Sequence, residues 1–191
     1  MLKHNHYNIE YRTGMNDFIK EFYVPSFEQS VEYWRAVGYF RSSSLEAFGK
    51  TLQDFLKNNG TIKLITSVEL TEADRNAIEE GSNKQEVCEQ RINKIIEEEF
   101  QDGIGSGVTR LGKLLEIGRL EIKIAMPKNG RGIFHEKLGI FLDAENNYVA
   151  FAGSMNETYN AYEQNYECIE VFTSWKDEER AETKRQKELS K

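Results

Sequence analysis

The chain has only three histidines, and one of them opens a run of residue types suited to handling a phosphate group. His135 and Lys137 sit two apart in "IFHEKLGIFL", a stretch of strand-like composition. Alternation along a strand sends both side chains to one face, with Gly139 leaving room beyond them. The turn-forming segment "DAENN", Asp143 to Asn147, lets the next strand, "YVAFA", fold back beside the first. In a suitable register this brings Gly153-Ser154-x-Asn156 toward the His-Lys end. Gly153 allows close backbone approach, while Ser154 and Asn156 offer hydroxyl and amide donors on one side. The strand "NYECIEVF" places Asn165 and Glu167 on one face in the same way. Displacement at a phosphodiester needs such a set: donors for the non-bridging oxygens, a nucleophile, and an acid for the leaving oxygen. The carboxylate can fix the tautomer and orientation of the imidazole. A lone histidine in a strand is more often an ordinary satisfied polar residue, and each further element makes coincidence harder to sustain. One histidine with scattered carboxylates gives no zinc or two-metal spacing, so neither a metal nor a cofactor is expected.

The elements that must position these groups alternate between strand and helix in the N-terminal third. "HYNIEYR" (His6 to Arg12) alternates weakly, and "DFIKEFYV" (Asp17 to Val24) has helical spacing that is expected to end at Pro25. "SVEYWRAVGYF" (Ser30 to Phe40) is β-branched and aromatic, a strand signal. "SSSLEAFGKTLQDFLKNNG" supplies serine caps, one apolar face of Leu45, Phe48, Leu52, Phe55 and Leu56, and a closing Gly60. "TIKLITSV" is a short strand, and Thr71 with Asp74 resembles a capping box. Cys88, Ile92, Ile95, Ile96 and Phe100 form the stripe of an amphipathic helix over Gln85 to Phe100, and "GVTRLGKLLEIG" reads as another helix closed by its glycine. From "RLEIKIAM" onward the period shifts to two, through "IFHEKLGIFL", "YVAFAGS" and "NYECIEVF". The fold class is α/β, a mixed β-sheet flanked by helices.

With 191 residues, 39% of them hydrophobic, there is material for one soluble domain with a sizeable core. No apolar run suits a bilayer span, and the start "MLKHNHYNIEY" lacks a signal-peptide core, so a cytoplasmic location is expected. Cys88 and Cys168 have no metal-type spacing and read as reduced, packed thiols. The net charge of −7 argues mildly against a strongly DNA-gripping monomer but leaves room for a local basic groove. The links "QDGIGSGV" and "PKNGRG" lack the lysine-hydroxyl ending of a phosphate-binding P-loop. "WKDEERAETKRQKELSK" is charged throughout with almost nothing to bury. It divides the chain into a domain over 1–174 and, over 175–191, a charged helical extension or the start of a linker to a further module.

Taken together, His135-x-Lys137, Gly153-Ser154-x-Asn156 and Glu167 resemble the signature of the phospholipase D superfamily, which includes metal-independent nucleases and phospholipases. "GYF" (Gly38 to Phe40), "GTIKLITSVEL" and "GSMNET" extend the likeness to phospholipase-D-like domains of bacterial restriction and helicase-associated proteins, over most of Tyr11 to Trp175. The resemblance implies that His135 attacks phosphorus to form a phosphohistidine. Lys137 and Asn156 would hold the phosphoryl oxygens, Ser154 would support them, and Glu167 would orient the imidazole. One departure is visible: the family's aspartate falls at Leu142 here, and Asp143 is one residue further on. Strand neighbours face opposite ways, so Asp143 is expected to be structural.

The family's mechanism uses two His-Lys motifs, and this chain has one motif. His4 and His6 cannot supply the other, since neither has a lysine two residues on; a metal-binding pair there is less expected than a ragged terminus. The second motif must come from another copy, and a homodimer with one composite site on its two-fold axis meets that need. Tyr39 and Phe40 are candidates for the substrate groove, and Arg131 for contact with a phosphate. Trp34 and Trp175 read as core or interface residues. The implied function is a metal-independent DNA endonuclease domain of a restriction or defence protein, with DNA as substrate and a helicase-type module fused or attached. The alternatives are a catalytically silent dimerisation or nucleic-acid-binding module and a phospholipid hydrolase or transferase. The latter is disfavoured because nothing in the sequence suits a membrane surface.

Overall fold

The computed structural model describes residues 1–41, 44–67, 80, 83, 86–87, 90, 93–94, 114–125, 134–156, 158, 161 and 165–189. The capping box at Thr71 and Asp74, most of the helix over Gln85 to Phe100 with Cys88, both glycine-flanked links and Arg131 lie outside the described residues.

Among the described residues, the period-two runs become seven strands: β1 (Glu10–Arg12), β2 (Glu32–Val37), β3 (Thr61–Thr66), β4 (Leu120–Ile124), β5 (Lys137–Leu142), β6 (Tyr148–Gly153) and β7 (Cys168–Thr173). They form one mixed sheet in the order β1-β7-β6-β5-β2-β3-β4. β2 lies at the seam, parallel to β3 and antiparallel to β5. β4 runs parallel to β3, whereas β5, β6, β7 and β1 are successively antiparallel. Helical spacing in the N-terminal third yields a π-helix, Phe18–Tyr23, that passes into α1, Val24–Gln29. Pro25 does not end the helix as the sequence suggested. It sits in the first turn of α1, where a missing N–H costs least, and the Ser26 hydroxyl donates to the Phe22 carbonyl. The helix expected from the serine run is two pieces, α2 (Ser44–Ala47) and α3 (Gly49–Lys57), which meet at Gly49 with φ +47°.

Alternation gives the sheet two apolar faces. The front buries Tyr33, Val37, Phe141, Val149, Phe151, Ile169 and Val171 against Phe22, Tyr23 and Phe27. The back buries Trp34, Ile140, Leu142, Tyr148, Ala150 and Phe172, joined by Ala181 of the C-terminal helix α4 (Glu178–Leu189). That helix belongs to the segment expected to have almost nothing to bury, yet it docks through its charges. The Arg180 guanidinium lies 4.4 Å from the centre of the Phe172 ring, and that of Arg185 lies 5.1 Å from Tyr148. The Tyr148 hydroxyl donates to Glu182 at 2.8 Å, and burial together with that carboxylate pushes its pKa up to about 12.

Leu142 belongs to the back cluster, and the Asp143 carboxylate organises the β5–β6 turn. It accepts backbone N–H bonds from Glu145 and Asn147, both 2.9 Å, and from Leu2 at 3.0 Å. The terminus carrying His4 and His6 is therefore docked rather than ragged, with Leu2 buried. Asp143→Ala should strip three backbone donors of their acceptor and lower the unfolding free energy by about 2–4 kcal/mol, read from urea midpoints. Leu142→Asp, which restores the usual spacing, should cost at least as much by driving a carboxylate among Trp34, Tyr148 and Phe172.

Candidate active site

Among the described residues, the chain segments carrying the expected site residues converge on one end of the sheet. The registers Val37↔Lys137, Leu138↔Ala152 and Gly153↔Ile169 align the end of β2, the start of β5, the end of β6 and the start of β7.

Lys137 is the first residue of β5 and only 8% exposed. Its ammonium donates to the His135 carbonyl at 3.2 Å. Burial, and next the nearby positive charge of Arg35, push its pKa down, while Glu167 pulls the other way. His135 was expected in the strand beside it. Instead it precedes the strand, exposed, and is positioned by packing. A Cβ on Gly38 would lie 2.9 Å from the Phe134 carbonyl oxygen and 3.1 Å from both the Cα and the ring Cδ2 of His135. Only a glycine lets the end of β2 run that close beneath the histidine.

On β6, a Cβ at Gly153 would fall 1.9 Å from the Cys168 carbonyl oxygen, so this position must lack a side chain. The Ser154 N–H donates to that same oxygen at 3.0 Å. Its hydroxyl accepts the Cys168 N–H at 3.1 Å and donates to Glu167 Oε2 in a short bond. The Asn156 Oδ1 accepts the Tyr39 N–H at 3.2 Å, which turns the amide Nδ2 toward donation. Glu167 is 7% exposed, and its Oε1 accepts from Asn165 Nδ2 at 3.2 Å; both residues were expected in the strand but precede β7, so a direct hydrogen bond rather than strand alternation brings them together.

Sequence reasoning missed Thr13, which fastens this last segment. Its hydroxyl accepts the Glu167 N–H at 2.9 Å and donates to the Asn165 carbonyl, while its own N–H donates to the Glu167 carbonyl. A threonine more than 150 residues away in sequence leaves no local signal. Among the described residues no hydrogen bond joins Glu167 to His135, because the carboxylate is taken up by Ser154 and Asn165. Phe40 packs against the front core, and Tyr39 lies against the Arg41 guanidinium, 5.3 Å from ring centre to carbon. Trp34 belongs to the back cluster, and Trp175 packs against the front one.

A mixed α/β sheet that gathers an imidazole, a buried ammonium, a hydroxyl, an amide and a carboxylate at one end is a phospholipase-D-like fold. The family model described as "Cardiolipin synthase, PLD-like domain" matches residues 28–187, and the chain belongs to that phospholipase-D-like family. No curated protein matches the sequence. Among solved structures, the chain is similar to NucT from Helicobacter pylori, with 16% identity and a TM-score of 0.54 over 95% of this chain and 94% of that one. It is also similar to the phosphatidylserine synthase of Haemophilus influenzae, with 11% identity and a TM-score of 0.50, covering 93% of this chain and 36% of the synthase.

The two glycine contacts make separable predictions. Gly153→Ala should part β6 from β7 and lower stability by about 3 kcal/mol, measured by denaturant unfolding. Gly38→Ala should cost less stability but displace His135, seen as a shift of its ring ¹H–¹⁵N signals.

Proposed function

We propose that this protein is a metal-independent phosphodiesterase that cleaves DNA as an endonuclease, in the cytoplasm, as part of a restriction or defence protein. The observation that carries this reading is the convergence of His135, Lys137, Ser154, Asn156 and Glu167 at one end of the sheet. The choice of DNA over lipid rests on the resemblance of "GYF", "GTIKLITSVEL" and "GSMNET" to restriction-associated domains. A helicase-type module, fused or attached, would supply the DNA affinity that a net charge of −7 does not. Among the described residues, no helix is long and apolar enough to cross a membrane.

In the reaction, an imidazole nitrogen of His135 attacks phosphorus while the bond to the leaving oxygen breaks. The leaving oxygen takes its proton from the His135 of a second copy, so the working unit is a homodimer with one site on the axis. Water then attacks the phosphohistidine, losing a proton to the second imidazole and releasing a phosphomonoester with both histidines restored. Lys137, Asn156 and Ser154 hold the non-bridging oxygens, with Arg131 as a further phosphate contact and Tyr39 and Phe40 lining the approach. Glu167 fixes the direction of the Ser154 hydroxyl and orients the imidazole once substrate is bound.

The purified protein should cleave DNA in excess EDTA, and His135→Ala should reduce the rate by about a thousandfold or more. A requirement for divalent metal, or hydrolysis of phospholipid with DNA untouched, contradicts the proposal. Light scattering should give a dimer; a monomer that remains active would remove the shared site. The alkaline side of the profile follows from Lys137. Because its charged form is disfavoured, it loses its proton at a lower pH than an ordinary lysine, so cleavage should fall with rising pH through that lowered value. Lys137→Arg, which stays charged, should remove that alkaline fall while lowering the plateau.

A further inference from the structure

Arg35 is 1% exposed, in the middle of β2 and in register with Gly139 of β5, on the face that also carries Tyr33 and Val37. Burying a guanidinium costs several kcal/mol of desolvation, which an apolar side chain of similar volume would avoid. Its environment indicates what that cost secures. The guanidinium lies 5.0 Å from the centre of the Phe151 ring, and Nη2 donates to the carbonyl of Met155. Met155 is fully buried, sits between Ser154 and Asn156, and its sulfur accepts from the Tyr23 hydroxyl at 3.6 Å. Its carbonyl is part of the peptide that leads into Asn156, so holding that oxygen sets the plane from which the Asn156 side chain departs. Four residues along the same strand segment, the Tyr39 N–H holds the other end of that side chain. Between the two contacts, Gly38 abuts His135.

We propose that Arg35 is a positioning residue for phosphoryl transfer. Acting through the Met155 carbonyl, it presets the Ser154-Met155-Asn156 turn for the oxygens of the transition state and places a second, fixed positive charge beneath Lys137. The inference rests on the phosphodiesterase reading above. A buried donor held by contacts within the fold contributes little to substrate binding and much to the geometry in which charge develops. The lowered proton affinity of Lys137, to which Arg35 contributes, agrees with two cations on the same face of neighbouring strands.

The test uses bis(4-nitrophenyl) phosphate, an activated diester whose cleavage needs no DNA contact. Arg35→Met should lower kcat about thirtyfold or more with KM within about threefold, and Arg35→Lys should restore part of that loss, each corrected for folded fraction by unfolding curves. A folded Arg35→Met with kcat within about threefold of the unchanged protein overturns the inference and leaves the phosphodiesterase reading intact. If the unchanged protein cleaves no diester, that reading fails, and Arg35 is tested separately with tungstate as a phosphate mimic. On saturation, the Arg35 Nε–H signal should move together with the Asn156 side-chain amide signals. An unmoved Arg35 signal while those of Asn156 shift overturns the role. The same measurement decides the matter if Arg35→Met does not fold.

Discussion

The register between β2 and β5 is the constraint on which the site depends. Val37 opposes Lys137, and a slip of one residue would turn Lys137 to the back face and present Leu138 in its place. Aromatic packing on the front makes that slip expensive. Tyr33 and Phe141 oppose each other across the same two strands and stack with ring centres 4.5 Å apart, while Phe22 meets Phe151 edge-on at 4.9 Å. The end of β2 then touches three separate parts of the site: the Met155 carbonyl, the backbone beside His135, and the Asn156 amide. β2 is thus the frame against which these segments are held.

Local electrostatics here differ from the average for the chain. The net charge of −7 describes the whole surface, where salt screens separated charges. Lys137 and Arg35 are buried on the same face of neighbouring strands, where the lower dielectric strengthens their field. An acidic protein can therefore bury two cations close together, with the Glu167 carboxylate nearby, without becoming a basic protein.

Much of the frame was legible in the sequence, because strand burial writes a period of two. β5 and β6 lie within the runs that show it, and β7 ends one residue beyond its run, whereas Asn165 and Glu167, expected in that strand, precede it. The Leu142–Asp143 shift was also readable, since adjacent strand positions face different surroundings. Other features left no local trace. His135 lies outside the strand, where its position depends on Gly38, nearly a hundred residues earlier. Thr13, the buried charge of Arg35 and the docking of Leu2 on Asp143 are contacts between distant segments, and composition does not report those. Pro25 was misread because the rule that proline ends a helix holds for interiors, whereas this residue occupies a first turn that follows a π-helical one.

The Thr13 clamp couples the site to the weakest part of the sheet. β1 pairs with its neighbour over three residues and has the open edge on its other side among the strands described. Short edge strands open locally at a free energy well below that of global unfolding. When β1 frays past Thr13, Glu167 and Asn165 lose their backbone anchor while the rest of the sheet stays folded. The backbone order of this segment then depends on a small opening equilibrium at the sheet edge, while the Glu167 carboxylate keeps its bonds to Ser154 and Asn165. Hydrogen exchange at the Glu167 amide would report it.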